Sequence, residues 1–286
     1  MQQSIVTKVT NDLLHDRYFW KNDNLEIAGY IASILIGLSL GMIGGGGSIL
    51  TVPILIYFFG VEPVLATTYS LFVVGITSSA GALSHFKKGN VDFRIALLFG
   101  LPSLAAIFTM RKWIMPSIPR HLLNVDGFEL TEASLLMFVF ALLMLAASYS
   151  MIRQKKELTA AELKISYSKL MLLSIAVGII TGFVGVGGGF LIIPSLVLFA
   201  GLSMKKAVGT SLMIMTISSL LGVLGDVSRH AQVNYKFLMI FSAFAIVGII
   251  TGSYLIKFVK ETRLRPAFGW FVLAMGLFVL ISTFYK

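Results

Sequence analysis

The chain of 286 residues contains no cysteine. That absence excludes disulfides, thiolate-held zinc or iron–sulfur centres, and a cysteine nucleophile. Charge is scarce as well: only 13% of residues are charged, against about 25% in soluble domains. No histidine–carboxylate cluster has metal-ligand spacing. The glycine-rich stretches lack the Lys-Ser/Thr of a phosphate-binding loop, since both run on into aliphatic residues. Ser48 is followed by Ile49 rather than glycine, which removes a G-x-S-G nucleophile, and Asp226 is the one aspartate expected near membrane depth, too few for an aspartyl dyad. An enzyme is therefore not expected, and neither a cofactor nor a metal is implied. Any long polar stretch that would make a soluble domain is also missing.

What the chain has instead is apolar residues, 57% of the total, with a mean hydropathy of +0.89 and 12% aromatics. These values describe a multi-pass membrane protein with rings at the interfaces. The net charge of +10 does not point to nucleic acid, because the basic residues sit in short clusters between apolar runs. Met1 to Asn24 form a polar segment without a signal-peptide pattern. Ten apolar segments follow, at roughly 25–43, 47–59, 64–84, 92–115, 131–152, 168–184, 188–200, 205–225, 234–258 and 264–284. Eight are expected to span. The second and seventh are too short for the ~20 residues that a spanning helix needs. Each begins at a glycine-rich turn and carries a proline, which is expected to free a helix carbonyl at Ile49 or Phe190.

The two halves repeat. Offsetting the sequence by 141 residues pairs Gly44-Gly45-Gly46-Gly47-Ser48 with Gly185-Val186-Gly187-Gly188-Gly189, Pro53 with Pro194, Gly60 with Gly201, and Ser70-Leu71 with Ser211-Leu212. One inserted residue later, Val91-Asp92 matches Val233-Asn234. Identities concentrated at glycine and proline in fixed register indicate duplication rather than shared composition. The expected architecture is all-α, with repeat 1 over 25–152, a linker at 153–167, and repeat 2 over 168–286. Paired short segments interrupted by glycine and proline are the sequence pointer to a transporter's binding site; glycines serving helix packing alone are the plainer reading.

Lysine and arginine counts divide 14 to 9 between the two sides, with Lys87–Arg94 and the Arg153–Lys169 loop on the richer, cytoplasmic side. Ten crossings make the repeats inverted and put both termini outside. Eight crossings make them parallel with both termini inside. The inverted arrangement is preferred.

The G-x-G-G-G turn, the proline-containing short helix after it, and the segments Ala66-Thr67-Thr68-Tyr69-Ser70-Leu71 and Ala207-Val208-Gly209-Thr210-Ser211-Leu212 resemble the TauE/SafE family of sulfite-exporter-like membrane proteins, over about 30–284. Ser48 and Tyr69 depart from the family pattern. The resemblance implies secondary transport, most simply export, of small sulfur-containing anions such as sulfite or organosulfonates across the cell membrane. A channel, or a different organic anion, remains open. Its partners would be the anion and the lipid bilayer, with no nucleic acid; self-association is left open.

A small anion away from water needs donors, and helix N-termini supply them. The expected binding residues are Gly44, Gly46, Gly47, Ser48, Thr51, Thr67, Thr68, Ser70, Gly185, Gly187, Gly188, Gly189, Thr210 and Ser211. Each hydroxyl has the alternative of bonding to its own helix carbonyl. Glu62, His85 and Asp226 are the ionisable residues near membrane depth. His85 and Asp226 share one register and are candidates for proton coupling, with solvation at the interface as the plainer reading. No arginine or lysine lies within the core of the short segments, so dipoles and hydroxyls are expected to do the binding; Lys205 and Lys206, at the start of the eighth segment, are read as anion attractors or as positive-inside anchors.

Overall fold

The computed structural model describes residues 23–119, 121–125, 128–153, 167–226, 233–255 and 261–284. The polar residues 1–22, most of the expected 153–167 linker and residues 256–260 lie outside them. Ten helices follow the expected segments. The first half holds α1 (Asp23–Ile43), α2 (Thr51–Phe59, entered through the 3-10 turn Gly46–Leu50), α3 (Pro63–Lys87), α4 (Phe93–Thr109, continued by a π turn at Met110–Ile114 and a last turn at Met115–Ser117) and α5 (Glu132–Ile152). The second half holds α6 (Tyr167–Val184), α7 (Gly189–Ala200), α8 (Met204–Asp226), α9 (Tyr235–Leu255) and α10 (Glu261–Phe284).

Local chemistry sets these boundaries. Asp92 caps α4 by accepting the Ile95 N–H at 3.1 Å, and Asn234 caps α9 by accepting that of Phe237 at 3.0 Å. Gly60 and Gly201 end the two short helices in the left-handed region, both at φ 64°.

The membrane-length elements are all helices, as expected, and β1 (His121–Val125) and β2 (Phe128–Thr131) add a short antiparallel hairpin between α4 and α5. Seven helices, not eight, are long and apolar enough to cross a membrane among the described residues. The exception is α6, whose 18 residues reach ~27 Å at 1.5 Å per residue, just under a ~30 Å hydrocarbon core. Pro53 lies in the first turn of α2, which continues the 3-10 turn without a break, and Pro194 lies inside α7.

Helices α3 and α8 form the centre; 72% and 61% of their apolar windows are buried, against 22% for α10. They cross through reciprocal notches: a Cβ on Gly81 would meet Leu212 at 3.1 Å, and one on Gly222 would meet Leu71 at 3.0 Å. Residue numbers rise along one helix as they fall along its partner, so the two run antiparallel. Helices α1 and α9 run parallel instead, and more tightly. Side chains on Gly37 and Gly41 would overlap the backbone at Ala245 and Ile249, and side chains on Gly248 and Gly252 the carbonyls of Ile34 and Leu38. Helices α4 and α6 repeat this contact, with Gly178 against Ser103 and Gly182 against Ile107 and Met110. Backbone-to-backbone contact of this kind provides the dispersion energy that holds helices together in lipid, where apolar burial alone gives no advantage. Large apolar residues such as Leu101, Leu172, Ile250 and Trp270 remain on the outside, as a lipid-facing surface requires.

Candidate functional site

The two glycine turns meet in the interior. Gly44 and Gly185 close α1 and α6 alike, donating their N–H to Leu40 O at 2.9 Å and Thr181 O at 2.8 Å, at φ 87° and 74°. A side chain at Gly45 would overlap the backbone of Gly189, and one at Gly189 would overlap the Cα of Gly45. From that contact the 3-10 turn leads into α2, and α7 starts directly. The N-terminal ends of both short segments thus lie together, each with unpaired N–H groups and a partial positive charge. Gly187 borders Val74 and Ser219, and Gly44 borders Ile193 and Val208. Gly46 faces Phe268, Gly47 is pressed against the carbonyl of Ile36, and Gly188 lies against Thr181. These three are surrounded by packing atoms.

The expected hydroxyls divide. Ser48 donates to Gly45 O at 2.8 Å, Thr67 to Val64 O at 2.7 Å and Ser211 to Val208 O at 2.8 Å. Thr210 accepts the Asp92 N–H at 3.0 Å, and Tyr69, at the same register in the first half, accepts that of Asn234 at 2.9 Å. Thr51 and Ser70 are fully buried, and their hydroxyls have no hydrogen-bond partner among the described residues. Ser78 and Ser219 are in the same condition. They are paired by the offset of 141, a signal the sequence reading left unused.

The charged residues bring the largest correction. Glu62 is exposed, and His85 is half-buried with no partner for its Nδ1 among the described residues. Asp226 is not solvated at an interface: it is 1% exposed. Its Oδ2 accepts from Arg111 Nη1 at 2.8 Å and from Thr68 at 2.7 Å. Arg111 is also 1% exposed, and its Nη1 donates to Thr67 at 2.9 Å. The same guanidinium reaches the second glycine turn, where a Cβ on Gly185 would lie 2.5 Å from Nη2. An arginine therefore stands beside the turns, in addition to the expected dipoles and hydroxyls.

Arg111 was missed because the hydropathy pattern places it with Lys112 at the ragged end of α4. The π turn rotates the two apart: Lys112 faces outward over the rings of Phe108 and Trp113, at 5.3 and 5.7 Å. Such π turns recur at functional positions in helices.

Half-helix ends meeting inside a lipid-exposed bundle, with buried hydroxyls and one buried ion pair at their edge, belong to a multi-pass membrane transporter rather than to an enzyme. Comparison with known proteins carries this to a family. Residues 30–279 match the family described as Sulfite exporter TauE/SafE, and the chain belongs to it. A protein of Xylella fastidiosa (strain Temecula1) named "Probable membrane transporter protein" is 32% identical over 250 residues, covering 86% of this chain and 91% of that protein. The "Probable membrane transporter protein YdhB" of Bacillus subtilis is 28% identical, covering 82% and 90%. A relative from Methanocaldococcus jannaschii with the same description is 24% identical, covering 88% and 94%. No solved structure matches the chain. The protein is a multi-pass transporter of the cell membrane.

Proposed function

We propose that the protein is a secondary transporter, working as an exporter, of small sulfur-containing anions such as sulfite or organosulfonates, and that the anion is held between the two glycine turns. The observation that carries this reading is the backbone contact of Gly45 with Gly189, which brings two helix N-termini to one point. N-terminal N–H groups bind anions without a formal charge, and discontinuous helices in transporters present them in this way. The free hydroxyls of Thr51, Ser70, Ser78 and Ser219 supply further donors. The family's description names sulfite, which favours sulfur oxyanions over other classes.

We read the two halves as inverted repeats of five segments each. The reciprocal Leu71–Gly222 and Leu212–Gly81 contacts and the antiparallel course of α3 and α8 support this, because such a relation makes i touch j while j touches i. Alternating access then follows from rocking one repeat against the other about the central contact. Coupling to protons through His85 and Asp226 belongs to the same reading.

The test is flux. Purified protein in liposomes should carry sulfite, thiosulfate and methanesulfonate with saturation kinetics, faster under a pH gradient. Transport of none of them, or a flux that rises linearly with concentration, would dismiss the substrate class or the carrier mechanism respectively.

A further inference from the structure

We propose that Arg111 is an anion-binding residue of the transport path, and that Asp226 is an internal competitor occupying it in this conformation. The inference rests on the anion-transport reading above and adds a residue and a mode of gating to it.

Arg111 and Asp226 are each 1% exposed and meet at 2.8 Å. Burying two charges costs more desolvation energy than a well-packed apolar pair, so such a pair is a poor way to gain stability. The other half of the chain builds the same architecture without it. Gly178 packs on Ser103 as Gly37 packs on Ala245, which fixes the register of α4 against α9. At that register Ser253 stands for Arg111, and His85 stands for Asp226. Ser253 borders an open pocket of about 220 Å³ with Gly81, Ser84 and Lys88, and His85 does not line it. The fold therefore closes with or without the pair, and the pair needs a reason other than packing.

Its geometry supplies one. Arg111 approaches Asp226 through Nη1 and a single carboxylate oxygen, and Oδ1 has no hydrogen-bond partner among the described residues. Guanidinium is a planar fork suited to two parallel bonds with an oxyanion. The carboxylate engages it through one oxygen, where an oxyanion can present two. The fork rests on Gly185, so an anion on Arg111 would sit at the edge of the second turn. Thr67 bonds Arg111, while Thr68 bonds Asp226; one hydroxyl would stay with the anion and the other with the departing carboxylate. A space of about 30 Å³ adjoins Thr68, Asp226 and Tyr235, room for a rotated carboxylate oxygen or one water. In the loaded state the anion takes Asp226's place on Arg111.

The experiment is calorimetric binding of sulfite, sulfate, thiosulfate, methanesulfonate and phosphate to the full chain in detergent, with folding checked by size exclusion. Arg111→Gln should weaken the bound anion about ten- to a hundredfold, the range for one charge-assisted hydrogen bond. Asp226→Asn should tighten it, by about tenfold, because the competitor is neutralised. The double variant removes both buried charges and serves where a single one does not fold; it should bind as weakly as Arg111→Gln. An unchanged Kd in the Arg111→Gln or double variant, a weakened one in Asp226→Asn, or no binding of any anion by the wild type overturns the proposal. Sulfite binding that ignores residue 111 leaves the sulfur-anion reading standing and this inference refuted. Phosphate binding alone, dependent on Arg111, does the reverse.

Discussion

Gly45 has an ordinary right-handed backbone, φ −85° and ψ −11°, so its need for glycine is steric. A Cβ there collides with the backbone of Gly189, which has no side chain to move aside. Gly201 is the opposite case: its φ is 64°, but nothing lies within 4 Å of a Cβ built on it. Gly201→Ala should cost only left-handed strain, ~1 kcal/mol, whereas Gly45→Ala should cost at least about 3 kcal/mol, the upper end of overpacking. Thermal melts of the two variants in one detergent make the comparison, and equal losses would contradict the close approach. Ser70 and Ser211, alike in sequence, also differ. Ser211 spends its proton on Val208 O, while the Ser70 hydroxyl has no partner among the described residues. Ser70→Ala should therefore raise the Km for the transported anion about ten- to a hundredfold, and Ser211→Ala should raise it less. Kinetics in which Ser211→Ala is the more damaging would reverse the assignment.

At the scale of elements, the join between α3 and α9 mirrors the join between α8 and α4. The Tyr69 hydroxyl accepts the N–H of Asn234, the cap of α9, and Thr210 accepts that of Asp92, the cap of α4. Each bond satisfies a backbone donor at a helix start. Tyr69→Phe and Thr210→Val keep the shape and remove the acceptor, so each should cost ~0.5–1.5 kcal/mol. The two losses should add within about half a kcal/mol, since the joins are separate. Chemical denaturation of both singles and the double measures this, and strong coupling between them would mean that the joins are not independent. The departure of Tyr69 from the family pattern thus has a structural reading: a longer side chain reaches the same kind of backbone N–H as its threonine counterpart.

For the whole molecule the open quantity is orientation. The directions of α1 and α9, α3 and α8, and α5 and α10 agree with ten segments that alternate in direction, the short ones included. That places Lys87, Lys88, Arg94, Lys205 and Lys206 on one side with Arg153 and Lys169, and we propose from the positive-inside bias that this side faces the cytoplasm. Gln154 lies outside the described residues, yet it is a usable reporter because the chain has no cysteine of its own. A Gln154→Cys variant should resist an impermeant maleimide in intact cells and react after permeabilisation. Labelling in intact cells would invert the orientation.

The sequence by itself determined the membrane class, the ten segments, the offset of 141 and the glycine turns. Each of these is written in local composition: apolar length, proline, and residues without a Cβ. Helices in lipid follow apolar length because every backbone group must bond within its own segment. The sequence could not decide which hydroxyls keep a free proton, since back-bonding depends on rotamer and neighbours, as Ser70 and Ser211 demonstrate. Nor could it decide between packing glycines and those at the central contact, because Gly45 and Gly47 stand in one run, yet Gly45 meets Gly189 and Gly47 packs on Ile36. Above all it concealed Arg111. Adjacent residues on a helix differ by about 100° of rotation, so hydropathy averages Arg111 with the outward Lys112. Only the packing of α4 and its π turn against α6 and α8 turned one inward to Asp226 and left its neighbour outside.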